Sequence, residues 1–207
     1  GRTWTTVRGE AIVPPLTEIK NTALVRDYQA EGLLVYILDM AFDAEGRPVI
    51  LYITSKGYEA GPKNAPRTWT TARWTGTTWE FRTVTTSLCN YDMGSLYIEP
   101  GGVWRIIGPT EPGPQRYNPG GEVVVWTSRD QGRTWKKDRQ VTSGSLYNHV
   151  YVRKPLNAAP DFYAFWADGH GRELSPSRLY FCDKTGKNVF RLPEKMNGEF
   201  MKPERTK

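Results

Sequence analysis

The chain has 207 residues, 38% hydrophobic and 24% charged, an ordinary globular composition that excludes a disordered or collagen-like polymer. No apolar run approaches the roughly 20 residues that cross a bilayer, so no membrane partner is expected. The net charge of +6 reads either as a solvated basic surface or as attraction to an acidic partner such as a uronic-acid or sulfated polysaccharide; the basic residues are scattered and form no nucleic-acid motif, so no nucleic-acid partner is expected.

In chain order, residues 3–12 read as the outer strand of one blade of a β-propeller. Residues 33–42 and 48–53 then flank the turn Asp43-Ala44-Glu45-Gly46, residues 95–98 and 103–107 flank Glu99-Pro100-Gly101-Gly102, and residues 147–153 and 162–166 flank a Pro-rich turn at 155–160. Each is a strand pair around turn formers. A third strand follows each pair, at 68–74, 122–127 and 178–181, and a fourth at 78–84, 134–141 and 189–192. The fold class is therefore all-β, with about three four-stranded blades plus an outer strand of another. Residues 193–207 lack a period and read as a polar tail.

The most specific motif is Ser128-Arg129-Asp130-Gln131-Gly132-Arg133-Thr134-Trp135, which fits the Asp-box pattern S-x-D-x-G-x-T-W. Ser and Asp bond the turn backbone, Gly takes a positive φ, and Trp packs under the turn as the next strand begins. The motif's tail recurs as Gly1-Arg2-Thr3-Trp4, as Gly76-Thr77-Thr78-Trp79 and, degenerately, as Gly186-Lys187-Asn188-Val189-Phe190, at separations of 75, 56 and 54 residues. That spacing is near the period of a four-stranded blade. Because residue 1 falls within a motif and three blades cannot close a ring, the chain is expected to be the C-terminal part of a propeller of six or seven blades. A signal peptide is expected upstream, with a secreted, periplasmic or cell-surface location. Cys89 and Cys182 have no metal or redox spacing, and the sequence leaves open a disulfide or two buried thiols.

Propellers hold ligand on the face where loops from several blades converge. Those loops carry Asn90, Tyr91, Asp92, Gln115, Arg116, Tyr117, Asp168, His170 and Arg172, and both histidines of the chain. The densest constellation is Tyr147-Asn148-His149-Val150-Tyr151-Val152-Arg153, in which a period of two puts Tyr147, His149, Tyr151 and Arg153 on one side. His149, Tyr147 and Tyr151 are the candidate catalytic residues; Arg153, Asn148, Arg116, Gln115, Asp92 and His170 are the candidate substrate-binding residues. Each has a structural alternative: His149 and Arg153 as bonds between blades, Asp92 as a partner of Arg116, Glu122 as a loop cap. Trp104, Trp126 and Trp166 read as core. No cofactor is expected, and no ligand spacing identifies a metal, though a structural cation is left open.

Asp92-Met93-Gly94-Ser95, Pro119-Gly120-Gly121-Glu122, the Asp-box, Asn148–Arg153 and Phe162-Tyr163-Ala164-Phe165-Trp166-Ala167-Asp168-Gly169 together resemble the BNR-4 type of Asp-box repeat propeller, over roughly residues 33–193. That resemblance implies kinship with ulvan lyases and with propellers that cleave rhamnose–glucuronate linkages. Lyase-like relatives use histidine and tyrosine for proton transfer, with a neutralising group at the uronate carboxylate; here His149 with Tyr147 or Tyr151, and Arg153 or Arg116, would fill those roles. The arginine triad and Tyr–Glu pair of sialidases are not assembled. Two functions are carried forward: a carbohydrate-active enzyme acting on an acidic poly- or oligosaccharide by β-elimination or glycoside hydrolysis, and a non-catalytic glycan-binding or scaffold propeller.

Overall fold

A computed structural model describes residues 3–206; Gly1, Arg2 and Lys207 lie outside the described residues, and with them the first half of the earliest motif copy. The fold is all-β and of the propeller type. The strands β3 (Leu34–Phe42), β4 (Pro48–Ser55), β5 (Arg67–Trp74) and β6 (Trp79–Ser87) form the first blade, an antiparallel sheet in sequence order. The second blade is β7 (Ser95–Ile98), β8 (Trp104–Glu111), β9 (Glu122–Ser128) and β10 (Lys136–Gln140). The third is β11 (Asn148–Arg153), β12 (Ala164–Gly169), β13 (Leu179–Cys182), β14 (Val189–Arg191) and β15 (Glu204–Arg205). Two expectations need correction. Residues 3–12 form not one outer strand but a small hairpin of β1 (Trp4–Thr5) and β2 (Ala11–Ile12), turned at Gly9 with φ 84°. The segment after residue 192 is not all tail, because Glu204–Arg205 adds a fifth strand to the edge of the third blade.

Both faces of a blade carry apolar side chains, so the cores lie between blades. One cluster joins the first and second blades through Leu38, Val49, Leu51, Ile53 and Trp69 against Leu96, Trp104 and Ile106. The other joins the second and third through Ile107, Val123 and Val125 against Val152, Ala164, Trp166 and Cys182. Trp104 and Trp166 are buried as expected and Trp126 is half-buried against the first cluster. Cys89 and Cys182 are buried, separate free thiols. The Trp69 indole lies flat against the backbone of the second blade, where a Cβ added to Gly94 would stand 2.8 Å from the ring and one added to Gly108 2.7 Å. Innermost strands are fastened directly: Leu96 N–H donates to Asp39 Oδ2 at 2.7 Å, and Val152 N–H to Met93 O at 3.2 Å.

The outer turns solve one backbone problem with three different side chains. In the Asp-box, Asp130 accepts from Thr134 N–H at 2.9 Å and Ser128 Oγ accepts from Gly132 N–H at 2.9 Å. In the third blade Asp183 accepts from the N–H groups of Thr185 and Lys187 at 3.0 and 3.1 Å. The first blade has no aspartate there, and Thr75 Oγ1 accepts from Thr78 N–H at 3.1 Å.

On the opposite face a chain of contacts ties three loops together. Asp92, 1% exposed, accepts from Cys89 N–H at 3.0 Å and from Gly120 N–H at 2.6 Å, and its carboxylate goes to these amides rather than to Arg116. Gly121 and His149 then exchange both backbone hydrogen bonds, at 3.0 and 2.9 Å. Gly120 has φ 83°, and a Cβ there would sit 2.1 Å from His149 O, so only glycine fits the crossing.

Two measurements test this packing. Gly108→Ala should lower stability by about 1–3 kcal/mol in a denaturant titration, because the buried indole cannot retreat from the new methyl group. Burial pushes the Asp92 carboxyl from 3.8 up to about 7 against the pull of its backbone donors. The folded state therefore holds this proton more tightly than the unfolded chain, and its contribution is full below about pH 4 and lost as pH rises through about 7. The melting temperature of Asp92→Asn should lack that component of the wild-type slope between pH 4 and 7.

Candidate functional site

His149 sits near the start of β11, opposite Asp168 on β12. Asp168 and Trp166 are two residues apart and share a face; Trp166 pairs with Tyr180, and Tyr180 with Arg191. One face of the third blade thus presents, across four strands, His149, Asp168, Tyr180 and Arg191, with Arg178 two residues before Tyr180. Opposite stand Val141, Thr142, Ser143, Ser145 and Leu146, which leave the second blade. Between the two is an open cleft of about 460 Å³. It runs along the third blade from β11 out to β14 and reaches Thr206 beyond β15.

The floor of the cleft is a fully bonded polar chain. Trp166 Nε1–H donates to His149 Nδ1 at 2.9 Å. An indole N–H is only a donor, so Nδ1 holds a lone pair and the neutral ring carries its proton on Nε2. That proton faces Ser145 Oγ at 2.8 Å. Ser145 Oγ in turn donates to Glu122 Oε2 at 2.9 Å, while Ser145 N–H and Thr142 Oγ1–H reach the same carboxylate at 2.9 and 2.5 Å. Glu122 is accordingly a buried loop cap. Burial depresses the His149 pKa, with Glu122 and Asp168 opposing it, so the imidazole is neutral at pH 7. Its ring is 3% exposed and packs edge-on against Tyr180 at 4.9 Å between centroids.

The walls carry charge. Tyr180 Oη donates to Asp168 Oδ2 at 2.9 Å, and burial followed by this bond raises the phenol pKa. Asp168 also accepts from Arg178 N–H at 2.7 Å and has the Arg178 guanidinium 3.5 Å away. Arg191 is partly buried and points along the same wall.

Of the three candidate catalytic residues, only His149 lines this cleft. The expected sharing of one side fails at Tyr151, which has φ 55° and stands in a bulge between Val150 and Arg153. The bulge resets the alternation: His149 pairs with Asp168, whereas Arg153 pairs with Phe165 on the other face. Arg153 donates to Leu38 O at 3.4 Å and lies 5.6 Å over the Tyr151 ring, so it is a bond between blades. Tyr147 is half-buried in the loop preceding β11. Asn148 and Gln115 bind one another through three hydrogen bonds that lock two loops, with Asn148 N–H donating to Gln115 Oε1 at 2.7 Å and Gln115 N–H to Asn148 Oδ1 at 3.1 Å; Gln115 Nε2–H also donates to Leu146 O at 3.0 Å. Arg116 is exposed and stacks 4.9 Å over Tyr117. His170 accepts from Arg172 N–H and meets Asn118 at 3.3 Å. Asp92 holds the loops, as described above. Arg178, Tyr180 and Arg191 escaped the sequence reading; their signal was polar residues at alternate positions of outer strands that otherwise read Leu179, Phe181 and Phe190.

No group of three or more His, Cys, Asp or Glu side chains among the described residues is arranged to hold a metal ion, and no helix is long and apolar enough to cross a membrane. No protein-family model matches the chain. No curated protein matches it either. Among solved structures it is similar to a polysaccharide lyase of the new PL25 ulvan lyase family, with TM-score 0.61 and 21% identity over 88% of this chain and 40% of that one. The same values hold for that lyase bound to -[GlcA(1-4)Rha3S]-. A phage phi92 endosialidase aligns with TM-score 0.46 and 12% identity over 77% of this chain and 23% of its own. The chain thus spans about two fifths of the length of the ulvan lyase structures, and the likeness establishes a shared propeller fold.

Proposed function

We propose that this chain is part of a carbohydrate-active propeller that takes an acidic, uronate-containing poly- or oligosaccharide, with the cleft between the second and third blades as its site. The observation that carries this reading is the make-up of the wall: two arginines, a tyrosine and a histidine gathered around one carboxylate, Asp168. Fold likeness to a lyase crystallised with a glucuronate-containing glycan supports the same substrate class.

Elimination fits this wall better than hydrolysis. Glycoside hydrolysis ordinarily needs two carboxyl groups flanking the bond, one free to act as acid. Asp168 is already bonded to Arg178 and Tyr180, and Glu122 is sealed behind Ser145. Elimination instead requires positive charge beside the uronate carboxylate, where negative charge builds as the α-proton leaves. Arg178 and Arg191 supply it, in place of Arg153 and Arg116. Tyr180 is the wall group best placed to move a proton, its hydroxyl already joined to Asp168. His149 positions Tyr180 through ring contact and keeps its own lone pair on Trp166.

The saturated ring of His149 and the dispersal of Tyr147 and Tyr151 favour a second reading, a propeller that binds acidic glycan without cleaving it. Incubation with ulvan and with rhamnose–glucuronate glycans separates the two. Elimination gives unsaturated-uronate absorbance together with reducing ends; reducing ends alone mean hydrolysis; saturable binding without product means a binding propeller. If elimination is seen, Tyr180→Phe should lower kcat by about 10²–10⁴-fold with little change in KM. His149→Ala should lower the melting temperature as well as kcat, because it leaves the Trp166 indole N–H unpaired in a buried site.

A further inference from the structure

The two arginines of the cleft are already occupied, and by carboxylates. Arg178 Nε bonds Glu194 Oε1 at 3.1 Å. Arg191 bonds Glu204 through Nη2 and through Nε, the latter at 3.2 Å. Both glutamates belong to the segment that follows β14, and Thr206 of the same segment reaches the cleft wall. The arginine side chains are 17% and 32% exposed, whereas those of Glu194 and Glu204 are 65% and 54% exposed. The cations are thus more deeply set in the blade than the glutamates that pair with them, and Glu194 meets Arg178 beside Leu179 and Leu192 at the margin of the cleft.

The segment is held at its end. The two-residue strand β15 pairs with β14, Thr206 donates to Val189 O through N–H at 2.8 Å and Oγ1 at 3.2 Å, and Arg205 donates to Asn188 Oδ1 at 2.6 Å. Between the two glutamates, Met196, Phe200 and Met201 are all exposed, and no residue of the segment belongs to either core cluster. Exposed ion pairs contribute about 0–1 kcal/mol each. An incoming oxyanion competes with these two pairs, and release of the strand also breaks its hydrogen bonds to β14.

We propose that Arg178 and Arg191 form an oxyanion clamp for the carboxylate or sulfate groups of an acidic glycan, and that residues 193–206 close it in the ligand's absence by seating Glu194 and Glu204 in their place. The inference rests on the cleft being the glycan site. It makes the segment a strap that imitates the ligand's charge, so that neutral glycans cannot open it.

The test uses the full chain with three probes: sodium sulfate, a glucuronate–rhamnose oligosaccharide and neutral maltotetraose. In the wild type, the acidic oligosaccharide should raise hydrogen exchange at the Arg205 and Thr206 amides while maltotetraose leaves it unchanged. The Glu194→Gln/Glu204→Gln double variant should bind both anionic probes roughly tenfold tighter, the gain expected from removing two weak competing pairs. Arg178→Gln/Arg191→Gln should abolish that binding. Unchanged exchange in the wild type with unchanged affinity in the glutamate variant overturns the proposal, and so does anion binding that survives the arginine changes. Sulfate binding that frees the strap, without any oligosaccharide binding, leaves the clamp standing and defeats the glycan reading. Turnover of the oligosaccharide with the strap still protected does the reverse.

Discussion

The packing of one sheet face against the next governs this molecule. No blade buries a core within itself; each of the two apolar clusters draws its side chains from two neighbouring blades. Trp69 shows how tight the fit is, since its indole rests on the bare backbone of Gly94 and Gly108. Removing water from these faces is the main favourable term, and it requires the blades to be fixed in relative angle before any contact is complete. Hydrogen bonds between innermost strands, such as Leu96 to Asp39, set that angle.

The cleft follows from the same geometry. Near the channel the second and third blades are held together by the Gly121–His149 exchange, which Gly120 permits by its left-handed conformation. Beyond this crossing a gap remains between the sheets, lined on the third blade by groups from all four strands β11 to β14. Burial of polar residues at this point demands partners, and the Trp166–His149–Ser145–Glu122 chain provides them in sequence. Above that floor lie Arg178, just before β13, and Arg191, on β14, each paired with a glutamate nearer to solvent. The bonded polar chain and the groups proposed to bind ligand are thereby divided by depth within one face.

Much of this architecture was legible in the residues. Strands stood out because apolar and aromatic alternation breaks at Gly, Pro, Asn and Asp, and the Asp-box announced its hairpin through side chains whose bonds to backbone are local. The mouth loops were less so. Asn148, Gln115 and Asp92 looked like ligand groups, yet each spends its polar atoms on backbone amides or on another loop, a distinction that depends on contacts 28 to 33 residues apart. The bulge at Tyr151 was hidden as well. Val150 and Val152 preserve a regular pattern while a single positive φ turns Arg153 to the other face. Arg178 and Arg191 lay outside the loops, and their meeting depends on strand register across β13 and β14.

The placement of the cores between blades also makes the stability of the chain a nearest-neighbour property. The second blade has a buried interface on each side, whereas the first and third have one apiece among the described residues. Each interface therefore adds its own increment to stability, as in a stack of coins held face to face. The cleft lies at the joint between the second and third blades, beside the paired hydrogen bonds of Gly121 and His149. A glycan that bridges both walls would act as mortar at that joint, coupling ligand occupancy to the cohesion of the stack.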